Sequence, residues 1–246
     1  MYRNERFERI MELLQKNGYM TVKQLTEALD YSTATVNRDL NSLEEKHLVR
    51  RSYGTVMLTE QKVMPPVLRY RSMEKAKSAL CRRAADLIRT GDVIFIDGST
   101  TTEGMGKYLL EKEDIRVITN NVALFLFLSE HGVDAVILGG KLIEPPYFLG
   151  GCETEGNAMR YHADKAFFSA LRITKEGEIS ADAEYETLRR IMVRNSKESY
   201  FIGDSEKVYD RVSRRLFLPD EISGIISDYP FSDGVKAQYP DTVFLT

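Results

Sequence analysis

Between Thr21 and Leu43 the chain reads TVKQLTEALDYSTATVNRDLNSL, and few folds accept that run. Thr21 followed three residues later by Gln24 has the form of a capping box, in which each side chain satisfies a backbone N–H at a helix start. Val22, Leu25 and Leu29 recur at i, i+3 and i+7, which gives the helix one apolar face. Asp30-Tyr31-Ser32 breaks the period, and Ser32 suits the cap of a second helix. There Val36, Leu40 and Leu43 form the buried stripe. At ~100° per residue, Ala34, Arg38 and Asn41 point the opposite way, flanked by Thr35, Asn37 and Ser42. A small, polar face with one cation fits the base edges of a DNA major groove. The run therefore predicts a DNA-binding helix-turn-helix with Ser32, Thr33, Thr35, Asn37, Arg38 and Asn41 as candidate contacts, Arg38 first among them. Thr33 lies nearer the core side, where capping or packing is the plainer role. Asp39 would repel phosphates and is expected to pair with a cation of an earlier helix.

The flanks extend this unit. Phe7, Ile10, Met11 and Leu14 predict a helix over 4–16, which Asn17-Gly18 ends. The runs 47–52, beginning at His47, and 55–59 flank Tyr53-Gly54 and read as a hairpin, which makes the unit a winged helix-turn-helix. Arg50 and Arg51 on the wing would hold phosphates, positioning the domain without reading bases. Residues 1–60 nonetheless carry nine Lys/Arg against nine Asp/Glu, and the whole chain is formally −3. Non-specific attraction to DNA is then weak, and salt-sensitive binding by a dimer is expected.

Beyond Glu60 the pattern dissolves, and Pro65-Pro66 stiffens the join. The expected organisation is a DNA-binding domain over 1–60, a linker over 61–73 and an α/β domain over 74–246. The last opens with a helix over 74–90 ending at Gly91. Apolar strand candidates follow at 92–97, 116–120, 135–140, 165–171, 199–204 and 221–228, with helical segments at 102–112, 121–131, 151–162 and 182–198. Continuous apolar strands alternating with helices predict a Rossmann-like α/β fold with a mainly parallel sheet. In such sheets ligands bind beyond the carboxyl ends of the strands.

Polar and glycine signals sit at those ends. Asp97-Gly98-Ser99-Thr100-Thr101 runs from a strand through a glycine turn into a helix start, where unpaired N–H groups and hydroxyls suit an anion. It matches no established phosphate loop, and a capped turn without ligand fits as well. Thr119-Asn120, Gly139-Gly140-Lys141 and Gly203-Asp204-Ser205-Glu206-Lys207 occupy three further strand ends. Four such ends converging would make a pocket. Lys141 and Lys207 would neutralise a phosphate there, or simply face solvent.

Two sets of residues carry a family resemblance. STATVNRDLNSLEEKHLVRRSYG resembles the DNA-binding domain of the DeoR family of bacterial transcriptional regulators through Ser32, Thr35, Val36, Arg38, Asp39, Leu40, Arg51 and Gly54. Asn37 stands where that family commonly has an Arg, and Thr55 where it commonly has a second wing glycine. The lost cation weakens phosphate contact, while an Asn can pair bidentately with adenine. DGSTT, VITNN, LGGK, ADKAFFSA and GDSEKV resemble the family's C-terminal sensor domain, which is similar in fold to ribose-5-phosphate isomerase. The resemblance implies a phosphorylated sugar or related metabolite as effector, held by the Gly98–Thr101 loop. By the same resemblance Asp97, Asn120, Asp164, Asp204 and Lys207 line or support the pocket. Arg172 replaces a usual Gly, and would clamp a phosphate, fill the site or face solvent.

The remaining composition narrows the classes. A chain of 246 residues with 43% hydrophobic and 29% charged content is ordinary for a globular protein of two domains. No apolar run reaches membrane-spanning length, and the charged N-terminus is no secretory signal, so the cytoplasm is expected. Cys81 and Cys152 are too few for a disulfide framework or a cysteine zinc site, and His47, His131 and His162 lack ligand spacing. No metal and no cofactor is expected. The expected function is sequence-specific transcriptional regulation, as a repressor and not an enzyme, by a homodimer or higher oligomer on double-stranded operator DNA. One competing possibility is a sugar-phosphate isomerase using Asp97, Asp164, Glu184 and Lys207. Another is a DNA-binding regulator whose pocket no longer takes a ligand.

Overall fold

In the computed structural model the chain divides into two units, Met1–Ser72 and Met73–Thr246. The residues described are 3–46, 48–52, 55–58, 74–144, 148–181 and 185–246. His47, Tyr53, Gly54, the expected linker over 61–73 and Glu184 lie outside them.

The first unit runs α1 (Arg3–Asn17), β1 (Tyr19–Thr21), α2 (Val22–Leu29), α3 (Thr33–Glu45), β2 (Val49–Ser52) and β3 (Thr55–Leu58). Gly18, at φ 73°, turns α1 into β1 in the left-handed region glycine accepts. The Thr21–Gln24 capping box forms: Gln24 N–H donates to Thr21 Oγ1 at 3.1 Å and Thr21 N–H to Gln24 Oε1 at 2.8 Å. Ser32 caps α3. The sheet order is β1-β3-β2, antiparallel throughout. Ile10, Leu14, Leu25, Val36, Leu40, Leu43 and Val56 pack as one core, so three helices and the hairpin share one apolar interior. Strand β1 was not expected, because three residues are too few to show a period.

The second unit is a doubly wound sheet. Its elements are α4 (Glu74–Asp86), β4 (Val93–Ile96), a 3-10 turn (Thr102–Met105), α5 (Gly106–Leu109), β5 (Arg116–Thr119), α6 (Val122–Glu130) and β6 (Asp134–Ile137). After them come β7 (Lys141–Glu144), β8 (Phe148–Gly150), α7 (Cys152–Ala158), β9 (Ala163–Phe168), β10 (Ile173–Thr174) and β11 (Ile179–Ser180). The chain closes with α8 (Glu186–Arg194), β12 (Ser196–Ile202), β13 (Val208–Tyr209), β14 (Arg215–Phe217), β15 (Gly224–Ile226), α9 (Asp233–Gln238) and β16 (Val243–Leu245). Seven strands form the main sheet in the order β16-β15-β12-β9-β4-β5-β6, and every pairing in it is parallel. Alternation along β4 decides the layers. Ile94 and Ile96 pack with Leu80, Ala84, Leu124 and Leu128 of α4 and α6, while Phe95 packs with Leu188 and Met192 of α8.

The chain adds strands outward from β4 through β5 and β6, then returns to the other side of β4 with β9 and continues through β12 to β16. Strand order therefore reverses between β4 and β9. A crevice opens at the carboxyl ends of such a pair, because the connections leave in opposite directions.

Six expected strands are present. The hairpin β7–β8, the four-stranded sheet β13-β10-β11-β14 and the edge strand β16 were not foreseen; they are pieces of two to four residues held by tertiary pairing. The expected helix over 102–112 is instead a 3-10 turn followed by the single turn α5. The one expected over 182–198 is Glu186–Arg194, ended before β12 begins.

Candidate functional site

In the first unit the exposed side of α3 is built as its periodicity requires. Val36, Leu40 and Leu43 are buried, whereas Thr33, Arg38 and Asn41 are exposed and Thr35 and Asn37 half-buried. Ser32 Oγ accepts from Thr35 N–H at 3.2 Å and lies 2.9 Å from Thr35 Oγ1, so this pair closes the helix start. Thr33 faces solvent rather than the core side. Asp39 is buried and receives Arg6 from α1 through two hydrogen bonds, 2.6 and 3.0 Å, the internal pairing expected of it. That pairing holds the guanidinium of Arg6 charged, above its usual range.

The wing differs from expectation. Arg51 on β2 lies across α3, donating to Asn41 Oδ1 at 2.5 Å and to Asn37 Oδ1, while its own N–H donates to Glu44 Oε1 at 3.0 Å. A cation from the wing thus lies on the stripe of α3 that carries Asn37 and Asn41. Arg50, its neighbour on β2, is half-buried.

In the second unit the switch point is occupied by Asp97, at the end of β4. Its N–H donates to Phe167 O of β9 at 3.0 Å. Its carboxylate is buried and accepts from Thr102 Oγ1 at 2.8 Å, Ser169 N–H at 3.3 Å and Arg189 Nε at 3.0 Å. Arg189, on α8, is equally buried and stacks over Tyr185. Gly98 follows, and its N–H donates to Asn120 Oδ1 at 2.6 Å, while Asn120 Nδ2 donates to Leu149 O at 2.7 Å. A Cβ at Gly98 would stand 2.8 Å from Asn120 Nδ2 and 3.1 Å from Phe148, so only glycine permits this approach. Ser99 Oγ caps the following turn by accepting from Thr102 N–H at 3.1 Å. Thr100 and Thr101 are also buried, and Thr101 Oγ1 has no hydrogen-bond partner among the described residues.

The end of β12 supplies the other wall. Lys207 Nζ donates to Ser169 Oγ and Ala170 O, both at 2.8 Å, so it reaches the residue that Asp97 also holds. Asp204 is buried, and burial raises its carboxyl above the usual range against the opposing pull of Lys207 and Lys77. Asp97, Gly98, Ser99, Thr100, Thr101, Asn120, Asp204 and Lys207 therefore all lie at or just beyond the carboxyl ends of β4, β5 and β12.

Three expected residues stand apart. Asp164 is corrected: it lies at the start of β9, at the amino end of the sheet. There it accepts from Val93 N–H at 2.9 Å and Lys197 Nζ at 2.7 Å, contacts that hold its carboxyl below the usual range. Four residues of β9, 165–168, lie between it and Ser169. Gly140, at φ 107°, turns β6 into the β7–β8 hairpin, and a Cβ there would strike Thr154 Oγ1 at 2.1 Å. Its glycine serves the turn. Lys141 begins that hairpin, exposed. Arg172 stacks over Tyr209 at 4.6 Å.

Sequence reasoning missed Arg189 and Lys77. Arg189 lies within α8 and Lys77 in the first turn of α4, and a cation on a helix reads as part of a solvated face; its burial appears only in three dimensions. A depression of about 540 Å³ lined by Lys112, Arg116, His131 and Asp134 also exists, but at the amino ends of β4, β5 and β6, away from these residues.

Comparison with known proteins agrees with both units. Residues 6–62 match the DeoR-like helix-turn-helix domain and residues 72–229 the DeoR C terminal sensor domain. The HTH-type transcriptional repressor GlcR of Bacillus subtilis is 31% identical over 93% of this chain and 89% of its own. The glycerol-3-phosphate regulon repressor of Escherichia coli is 28% identical over 94% of this chain and 92% of its own. Among solved structures, eIF2B delta from Chaetomium thermophilum is similar in fold, with TM-score 0.50 and 14% identity over 85% of this chain and 77% of that one.

Proposed function

Because the chain belongs to the DeoR family, we propose that it is a sequence-specific DNA-binding transcriptional repressor controlled by a phosphorylated sugar or related metabolite. The observation that carries the effector half is Thr101 Oγ1, a buried hydroxyl with no partner among the described residues, on the turn that follows the switch-point strand. Buried polar groups are nearly always paired with protein, water or ligand. The hydroxyls of Thr100 and Thr101 and the cation of Lys207 suit a phosphate, and the fixed carboxylate of Asp97 and the buried Asp204 suit sugar hydroxyls. The relatives named for repression, one of them for a glycerol-3-phosphate regulon, point the same way.

For the DNA half, Arg38, Asn41, Thr33 and Thr35 present a polar surface on α3, with Arg51 beside them and Ser32 closing the helix start. A homodimer would set two such helices ~34–36 Å apart, one turn of the duplex. Operator DNA places the protein in the cytoplasm. Effector control requires only that the metabolite bind the DNA-competent and DNA-free states with different affinity.

An isomerase is disfavoured on geometry. Asp97 is held by Arg189, Thr102 and Ser169, and Asp164 lies at the other end of β9, so these two carboxylates do not converge on one substrate carbon.

The test is a gel shift on the DNA upstream of the protein's own gene, across a panel of sugar phosphates at two salt concentrations. Release by one or two phosphorylated sugars and not by their unphosphorylated forms is the expected result. No shift under any condition overturns the DNA-binding half. A shift indifferent to every compound overturns the effector half.

A further inference from the structure

The contacts of Arg51 bear on which bases α3 can select. Asn37, Asn41 and Glu44 lie at i, i+4 and i+7, on one face of the helix. Each contributes an oxygen to the same residue of β2: the carboxamide oxygens of Asn37 and Asn41 to the Arg51 guanidinium, and the Glu44 carboxylate to its N–H. An arginine has donors only, so it can meet an asparagine only at Oδ1. The amide orientation is therefore fixed by chemistry: Nδ2–H2 points away from the guanidinium, and the second lone pair of each Oδ1 lies beside a cation. An asparagine reads adenine bidentately by donating to N7 and accepting from the N6 amino group. With a guanidinium already on Oδ1, the accepting half of that contact faces a competing cation.

We propose that Arg51 is a specificity-determining residue: by donating to Oδ1 of Asn37 and Asn41 it fixes each carboxamide with Nδ2–H2 as its other face and sets a cation beside Oδ1 that opposes the approach of the adenine N6 amino group, which favours guanine O6 and thymine O4 over adenine. This rests on the DNA-binding function proposed above. Arg51 acts here as a positioning residue through the two asparagines.

The full-length protein is used to select bound sequences from a duplex library randomised across the operator half-site, with Arg51→Ala, Arg51→Lys, Asn37→Ala and Asn41→Ala selected in parallel. Melting curves followed by circular dichroism establish that each variant is folded. Positions where an asparagine variant relaxes the preference mark what that asparagine reads. The wild type is expected to select guanine or thymine at those positions. Arg51→Ala is expected to move the preference there toward adenine by on the order of tenfold. Arg51→Lys keeps the charge but lacks the planar fork whose two terminal nitrogens each reach one carboxamide, and is expected to move it part of the way in the same direction. The proposal is overturned if the wild type already selects adenine at those positions, if neither asparagine variant relaxes any position, or if the Arg51 variants bind more weakly with unchanged preferences. A wild type that enriches no sequence refutes the DNA-binding function itself, which separates the two failures.

Discussion

Arg189 and Asp97 are 92 residues apart in the chain and meet at 3.0 Å, with side chains only 4% and 3% exposed. The pair ties α8 to the end of β4 at the point where the sheet changes direction. Two charges taken out of water are compensated by each other and, on the Asp97 side, by Thr102 and Ser169. Removing Arg189 leaves the buried Asp97 carboxylate with neutral donors, Thr102 and Ser169, in place of a cation. Arg189→Met is expected to lose about 3–5 kcal/mol in urea unfolding, and Asp97→Asn combined with Arg189→Met to recover most of it. A single variant as stable as the wild type would show that the pair is not coupled.

Gly98 approaches Asn120 too closely for a side chain. Gly98→Ala places a methyl 2.8 Å from Asn120 Nδ2, and relief requires a shift at Asn120, which bonds both Gly98 N–H and Leu149 O. A cost of roughly 1–3 kcal/mol in stability is expected, together with loss of effector response in the gel shift. Retained response at wild-type effector concentration would remove this contact from the site.

Asp204 makes stability depend on pH in an unusual direction. Burial raises its carboxyl above the usual value of 3.8. Between the ordinary and the raised value the folded state binds more protons than the unfolded, so this carboxyl makes stability fall as pH rises through that window. Asp204→Asn should therefore be more stable than the wild type at pH 7, with the advantage fading as pH drops toward the ordinary carboxylate range. Unfolding free energies of both proteins across pH 4–8 measure the difference; a flat difference contradicts it.

Asp164 has the opposite sign. Lys197 and Val93 N–H hold its carboxyl below 3.8, so its contribution is present above the ordinary value and is lost as pH falls through the lowered one. The pair is largely solvent-screened, and Asp164→Asn should cost no more than about 1 kcal/mol. Effector release of DNA should be unchanged in this variant, because Asp164 lies at the far end of β9. An altered effector response would return it to the site.

Arg38 is exposed on α3 and pays no structural debt. Arg38→Ala should leave the melting temperature in place and cost on the order of 1–3 kcal/mol in operator affinity if it reads a base. Uniform weakening across sequences, with a shallower salt dependence, would assign it to phosphate instead.

The turn-helix run was legible because its signals are local. The Thr21–Gln24 box, the Ser32 cap and the stripe of Val36, Leu40 and Leu43 each depend on residues within one or two turns, and all formed. The six apolar strands were legible because burial on both faces demands a continuous run, and so was a parallel α/β sheet. In the second unit the placement of Asp97 through Thr101, Asn120, Asp204 and Lys207 was legible, because polar groups stand out where apolar strand runs end.

What the sequence alone determined, then, is which elements form and which ends carry polar groups, since caps, periods and strand runs are set by neighbours in the chain. Tertiary structure alone decided which of those ends meet. Strand order brings β9 back beside β4, so Ser169 and Arg189 reach Asp97, while the same return places Asp164 a whole strand away. It also decided that Arg51 turns onto Asn37 and Asn41, a contact across 14 and 10 residues that no local period encodes. The physical reason is common to both. Pairing of a buried or half-buried charge depends on distance through space, and residues far apart in sequence become neighbours only when the cores beneath them have closed.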